Sequence, residues 1–280
     1  MKILLIGGEG QIGWELRRTL APLGTLHAPP RSDLDLESAD SIIRVVRETR
    51  AQLIVNAAAY TAVDKAESEP ELAMRINGTA PGVLADEAKR LGAMLVHYST
   101  DYIFDGTKAG AYVEDDAPNP LSVYGRTKLA GERAIRSSDC RHLILRTSWV
   151  YGPRGKNFFL TIAAKARAGE RLRVVDDQRG VPTTSRFLAE KTLALLAKDA
   201  SGLLHLVPAG ETTWYDFARE IVKLSGSQSE VKPIKTGEFP VAARRPANSV
   251  LDNHKATAIL GVPMPDWRTL LRGVRESAQL

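Results

Sequence analysis

Cysteine is nearly absent. Cys140 is the single cysteine among 280 residues, so no internal disulfide can form, and a reducing, cytoplasmic setting is expected. Long apolar runs are missing as well. The N-terminal run Met1-Lys2-Ile3-Leu4-Leu5-Ile6 stops at glycines. It is too short and wrongly flanked for a signal peptide, and nothing approaches membrane-spanning length. Aromatics make up only 6% and do not alternate with basic residues. The charge of +5 and the pI near 9.3 come from scattered Lys and Arg. That pattern gives no nucleic-acid surface; it fits a solvated exterior or a basic site for a phosphorylated ligand. Repeats and low-complexity tracts are absent. Nothing resembles a catalytic metal site, so no metal is expected.

What is present is ordinary globular composition, 44% hydrophobic and 25% charged, in a chain long enough for one large α/β domain with a smaller lobe. Apolar strand patterns at Lys2–Ile6, Thr25–Ala28, Gln52–Asn56, Met94–Tyr98 and Leu143–Thr147 alternate with helical patterns. The helices are expected at Gln11–Ala21, Ser38–Thr49, Glu69–Leu91 and Leu121–Ser137. Uniformly apolar strands belong to parallel sheets covered on both faces. The expected fold is therefore α/β, a Rossmann-like doubly wound parallel sheet with a smaller C-terminal substrate-binding lobe. Further elements are expected at Asn157–Ala168, Leu172–Val175, Thr184–Ala197, Leu203–Val207 and Thr213–Leu224. From Glu230 onward, Pro233, Pro240, Pro246, Pro263 and Pro265 imply a loop-rich tail. Residues 1–151 and 184–210 should form the dinucleotide domain, and 152–183 with 211–280 the lobe.

Gly7-Gly8-Glu9-Gly10-Gln11-Ile12-Gly13 follows the first strand and opens the first helix. Glycines at this place allow a sharp turn, close backbone approach to a pyrophosphate and tight helix–strand packing. The free N–H groups of the helix start then face the phosphates. Where NAD-preferring folds end strand 2 with an acid, this chain reads Leu26-His27-Ala28-Pro29-Pro30-Arg31-Ser32-Asp33. Arg31 suits a 2′-phosphate, so NADPH is expected; Asp33 and Asp35 leave NADH use open.

Tyr124 and Lys128 stand four apart on an expected helix and so share a face. A free tyrosine is a poor acid at pH 7, and a nearby ammonium favours its phenolate. Such a pair is a proton donor for a carbonyl receiving hydride. Ser99 and Thr100 supply hydroxyls where the fourth strand meets the same sheet edge.

These stretches, with Val55-Asn56-Ala57-Ala58-Ala59-Tyr60-Thr61-Ala62-Val63-Asp64-Lys65-Ala66-Glu67, Arg146-Thr147-Ser148-Trp149-Val150-Tyr151 and Arg244-Arg245-Pro246-Ala247-Asn248-Ser249, run nearly end to end. On them the chain resembles the extended, nucleotide-sugar-modifying short-chain dehydrogenases/reductases, and among these the dTDP-4-dehydrorhamnose reductases. The resemblance implies Tyr124 as proton donor, Lys128 as the group lowering its pKa and Thr100 as the orienting hydroxyl. It puts Gly10, Gln11 and Ile12 at the pyrophosphate, Asp35 and Leu36 beside adenine, and Ala59, Tyr60 and Thr61 along ribose and nicotinamide. Asp101, Trp149 and Val63 would meet the sugar nucleotide. Arg244 or Arg245 would meet its diphosphate, although both could be surface charge. Trp149 could equally be core, and Asn56 is expected to satisfy backbone. The implied partner is a dTDP-sugar in dTDP-L-rhamnose synthesis, for a monomer or homodimer. Some members of the group form Mg²⁺-linked dimers through acidic side chains; Glu15 matches one such position, and Glu190 lies on the helix that would carry the others, but Lys191 follows it. An epimerase or dehydratase and a non-catalytic subunit of the same fold are the rival readings.

Overall fold

The computed structural model describes residues 1–278. Its first half runs β1 (Lys2–Ile6), α1 (Gln11–Leu20), β2 (Thr25–His27), α2 (Ala39–Thr49), β3 (Leu53–Asn56), α3 (Val63–Ala66), α4 (Pro70–Met74), α5 (Ala80–Leu91), β4 (Met94–Thr100), α6 (Val123–Ser137) and β5 (His142–Thr147). Then follow β6 (Val150–Tyr151), α7 (Phe158–Arg167), β7 (Leu172–Val175), β8 (Arg179–Gly180), β9 (Thr183–Thr184), α8 (Ser185–Ala197) and β10 (Gly202–His205). The chain closes with β11 (Thr212–Thr213), α9 (Trp214–Leu224), β12 (Val231–Ile234), α10 (His254–Leu260) and α11 (Trp267–Ala278).

Six strands form one parallel sheet in the order β10-β5-β4-β3-β1-β2. The chain leaves β1 toward β2 on one side and returns to β3 on the other. The switch point, where an open α/β sheet binds ligands, therefore lies between the C-terminal ends of β1 and β3. Side chains alternate between the two faces. Ile3, Leu5, Val55, Val96 and Leu145 pack under Leu16 and Leu20 of α1 and Leu188 and Leu195 of α8. Leu4, Ile6, Ile54, Leu95 and Ile144 pack under Ile42 and Val46 of α2, Leu84 of α5 and Ile135 of α6. Burial on both faces is why each strand reads as a continuous apolar run.

Ser38, Ser122, Asn157, Thr184 and Thr213 cap their helices by accepting a backbone N–H, each contributing about 1 kcal/mol. Helix α1 starts at Gly10 with no side-chain cap. The continuous helix expected over 69–91 is interrupted by a π turn at Arg75–Thr79, which turns Asn77 toward the sheet edge.

The lobe has its own core, in which Phe159 and Ile162 of α7, Phe217 and Ile221 of α9 and Trp267 and Leu271 of α11 meet. The tail is more ordered than its prolines suggest. β12 pairs in parallel with β7 although it contains Pro233, which an edge strand tolerates. Ala256 and Leu260 of α10, with Met264, join the main sheet's core rather than the lobe's. No helix among the described residues is long and apolar enough to cross a membrane.

Candidate active site

The glycine loop is shaped by contacts that a side chain would block. Gly7 has φ +79°, and a Cβ there would stand 2.7 Å from Ala58 N at the end of β3. A Cβ on Gly13 would stand 2.0 Å from the Gly7 carbonyl oxygen, so only glycine lets α1 approach β1 this closely. Gly7, Arg31, Asp35, Leu36 and Ala59 surround one cavity of about 190 Å³. Its loop carries the uncapped N-terminus of α1, whose free N–H groups suit an anion. Tyr60 is clasped by Asn77, which accepts from its N–H at 2.8 Å and donates to its carbonyl at 3.0 Å. The Tyr60 hydroxyl donates to Glu69 at 2.7 Å. Ile12 packs into the core, and Gln11 accepts from Asn157 of the lobe at 2.8 Å. Thr61 is exposed. Arg31 is also mostly exposed and is paired with Glu37 at 2.8 Å.

At the next strand ends, Ser122 caps α6 and Glu67 accepts from the Val123 N–H at 2.7 Å. Asp64, Lys65 and Glu67, readable as a solvated turn, thus form a short helix tied to the start of α6. Tyr124, the second residue of α6, is half-buried with its hydroxyl toward Thr100 and its ring edge-on to Tyr102, 5.8 Å away. Burial pushes the phenol up to about 12; the Thr100 hydroxyl opposes this and the Asp101 charge adds to it. Asp101 is buried, with Oδ1 accepting from Thr100 at 3.0 Å and Oδ2 unpartnered. Burial raises its carboxyl to about 6.

Lys128 is placed differently from expectation. It is fully buried, and its Nζ donates to the Tyr98 carbonyl at 2.6 Å and faces His97 Nε2 at 3.2 Å. Its reach is taken up by β4, and in this structure Thr100, not Lys128, draws the Tyr124 phenol down. Burial lowers Lys128 itself to about 8, with Glu132 pulling the other way. Asn56, buried at the end of β3, is a structural residue. Its Oδ1 accepts from the Ala58 N–H at 3.2 Å and its Nδ2 meets His97 Nδ1 at 3.2 Å. Beneath lies a buried ion pair in which Arg146 donates to both Glu132 oxygens, at 3.0 and 2.7 Å.

The lobe holds a cavity of about 400 Å³ lined by apolar Phe158, Trp214, Phe239 and Val241 and by polar Gln178 and Arg245. Arg245 forks Asp64 at 3.0 and 2.8 Å and reaches toward Tyr102, linking this cavity to the tyrosine pair. The guanidinium holds the Asp64 carboxyl below the usual range. Arg244 is exposed and does not line the cavity. Trp149 stacks on Trp214 at 3.6 Å with left-handed φ +47°. Val63 begins α3 beside Asp64.

The family profile described as RmlD substrate binding domain matches residues 1–279. A dTDP-4-dehydrorhamnose reductase of Burkholderia thailandensis is 44% identical, covering 96% of each chain. The chain belongs to the dTDP-4-dehydrorhamnose reductase family. Among solved structures, a reductase of this family from Clostridium acetobutylicum superposes with TM-score 0.96 at 36% identity, covering all of both chains. One from Bacillus anthracis, in complex with NADP, superposes with TM-score 0.94 at 33% identity, covering 99% of this chain and 100% of that one.

Within this reductase fold, several residues at the site carry no sequence motif. His97 and Asn77 are such cases. The one available signal for His97 is a polar residue inside an otherwise apolar strand. Glu15 and Glu190 each face Arg18, at 3.6 and 3.8 Å. Among the described residues, no group of three or more His, Cys, Asp or Glu could hold a metal ion.

Proposed function

We propose that this protein reduces the C4 ketone of dTDP-4-dehydro-β-L-rhamnose to dTDP-β-L-rhamnose with NADPH. The observation that carries this reading is the Tyr124 hydroxyl beside the Thr100 hydroxyl, at the sheet edge that also holds the glycine loop. Family membership supports the substrate, and the NADP-bound relative supports the cofactor. The fit of the cofactor rests on the uncapped start of α1, the glycine-only approaches at Gly7 and Gly13, and the cavity beside Asp35 and Leu36. NADPH, when bound, supplies the hydride. The chain's own groups do the rest. Thr100, whose hydroxyl donates to Asp101 in this structure, turns its proton to the ketone oxygen when substrate binds, and Tyr124 delivers the proton to that oxygen. A phenol pushed up to about 12 keeps its proton at pH 7 but gives it up less readily than a free tyrosine, so transfer depends on the Thr100 hydroxyl, which draws it down. Lys128 acts from below by holding the β4 end. Residues 1–151 and 184–210 take the cofactor and the lobe takes the sugar nucleotide. The aromatic wall of Phe158 and Trp214 suits the base and Asp101, Val63 and Trp149 the sugar side, while Arg245, which lines the same cavity, meets the diphosphate only by sharing or leaving Asp64.

The test is to supply dTDP-4-dehydro-L-rhamnose with NADPH or NADH and follow cofactor absorbance. One NADPH consumed per product is expected, which separates the reductase from an epimerase or dehydratase that recycles its cofactor. No oxidation of either cofactor overturns the reading. Tyr124→Phe should lower kcat by about 10²–10⁴-fold and leave NADPH affinity within about threefold.

A further inference from the structure

One cation beside the cofactor loop is left without a partner. Arg17, in the second half of α1, lays its guanidinium against Gly8 and Ala28. A Cβ built on Gly8 would lie 2.9 Å from Arg17 Nε, 3.2 Å from its Nη2 and 3.2 Å from Ala28 Cβ. Arg17 Nε is buried with no hydrogen-bond partner, an arrangement that costs free energy unless a ligand completes it. The acids on the neighbouring surface, Glu15 and Glu190, pair with Arg18 and Arg186 instead. No carboxylate among the described residues forms an ion pair with Arg17.

The position of this guanidinium is informative. Ala28 directly follows β2, which ends at His27. That is where a fold preferring an unphosphorylated dinucleotide carries an acid for the ribose 2′-hydroxyl. An acid there would pair with Arg17; alanine leaves the arginine free. Gly8 lines the cavity shared with Pro29, Pro30 and Asp35, so a ligand in it reaches the glycine that Arg17 covers. Arg31, the residue expected for this task, is 75% exposed and is bound to Glu37, which Arg75 also approaches at 3.4 Å. An arginine already neutralised in solvent offers a phosphate little.

We propose that Arg17 is the residue that selects a 2′-phosphorylated dinucleotide, its guanidinium meeting the 2′-phosphate between Gly8 and Ala28. This rests on the NADPH reading above. A planar fork with several N–H donors suits phosphate oxygens, and the buried Nε gains the acceptor it lacks.

The test uses the full chain and two ligands that differ by one phosphate and transfer no hydride, 2′,5′-ADP and 5′-ADP, titrated by calorimetry. The wild type should prefer 2′,5′-ADP. Arg17→Gln should weaken 2′,5′-ADP by about 10- to 100-fold, the range of a charge-assisted pair. It should change 5′-ADP by less than about threefold, with Arg17→Lys in between. Equal weakening of both ligands, or a preference lost in Arg31→Gln and kept in Arg17→Gln, overturns the proposal. A wild type with no preference removes the NADPH reading itself, whereas a preference that survives Arg17→Gln removes only the role of Arg17. Should Arg17→Gln not fold, Ala28→Asp supplies the missing carboxylate to Arg17 and should erase the preference; a preference kept there refutes the assignment.

Discussion

Lys128 gives the sharpest test of how this site is held, because its environment opposes its charge. Its Nζ sits fully buried between the Tyr98 carbonyl and His97 Nε2. The surrounding hydrogen bonds assign the imidazole tautomer. Asn56 accepts from the Ala58 N–H through Oδ1, so its amide donates to His97 Nδ1. The ring proton is then on Nε2 and points at Lys128. An ammonium has no lone pair to accept it, whereas a neutral amine does. Burial accordingly brings Lys128 from the ordinary 10.5 to about 8, a cost to the charged folded state of about 3 kcal/mol. The folded pKa lies below the unfolded one. The penalty is therefore full below the folded value and fades as pH rises toward the unfolded value. Lys128→Met keeps the shape and removes the charge, and it removes the bond to the Tyr98 carbonyl at every pH and the one from His97 only where the amine is neutral, a dependence already contained in the lowered pKa. His97 stays neutral across the range, since burial and the Lys128 charge hold it well below 6.5. Relative to Lys128→Met, the wild type should gain about 2 kcal/mol between pH 7 and pH 9.5, read from paired urea unfolding curves. A difference that stays flat within about 0.5 kcal/mol, or that moves the other way, refutes the reasoning.

Three further outcomes are expected. Asp101→Asn should raise unfolding stability by about 1–3 kcal/mol at pH 7.5 while lowering turnover, because it removes a buried carboxylate held near 6. The gain should shrink as pH falls toward 4, where the wild-type carboxyl is protonated in the folded state first; urea midpoints at both pH values check it. Arg146→Met strands the Glu132 carboxylate, 1% exposed with its partner at 3%. It should cost about 3–5 kcal/mol, a melting-temperature loss on the order of 10 °C in a calorimetric scan. Gly13→Ala forces a methyl to within 2.0 Å of the Gly7 carbonyl oxygen. Because the loop must move, ADP affinity should fall by more than about tenfold together with about 1–3 kcal/mol of stability; unchanged calorimetric binding would remove the close-packing account.

The main sheet was legible because burial on both faces leaves an unbroken apolar signature. β1 has the bounds its sequence implies, and the other strands of the sheet differ by a residue or two at their ends. The pairing of Tyr124 and Lys128 on one helix face was legible from their spacing alone. Where the lysine's amine points was not, because the acceptors that capture it lie on β4, some thirty residues upstream. The lobe was less legible for a related reason. Pro233 and the prolines before α11 argue locally against regular structure, and only tertiary neighbours show that β12 is an edge strand beside β7. Asp64 and Arg245 are 181 residues apart; neither residue's surroundings in the chain hint at the other.

The two arginines near the end of β2 make the same point about function. By position along the chain, Arg31 is the better candidate for a phosphate, since it follows the strand end where a discriminating residue belongs. In space it is the worse one. Glu37 neutralises it from six residues away and most of its surface is in water. Arg17 sits on a helix whose sequence reads as ordinary amphipathic surface, yet packing folds it over Gly8 with a buried, unsatisfied nitrogen. What distinguishes them is not residue type but what each already binds. An arginine with a carboxylate partner has spent its charge, and one held beside a glycine and an alanine has not. If Arg17 sets the cofactor preference as proposed, enlarging Gly8 or Ala28 should move that preference as surely as removing Arg17.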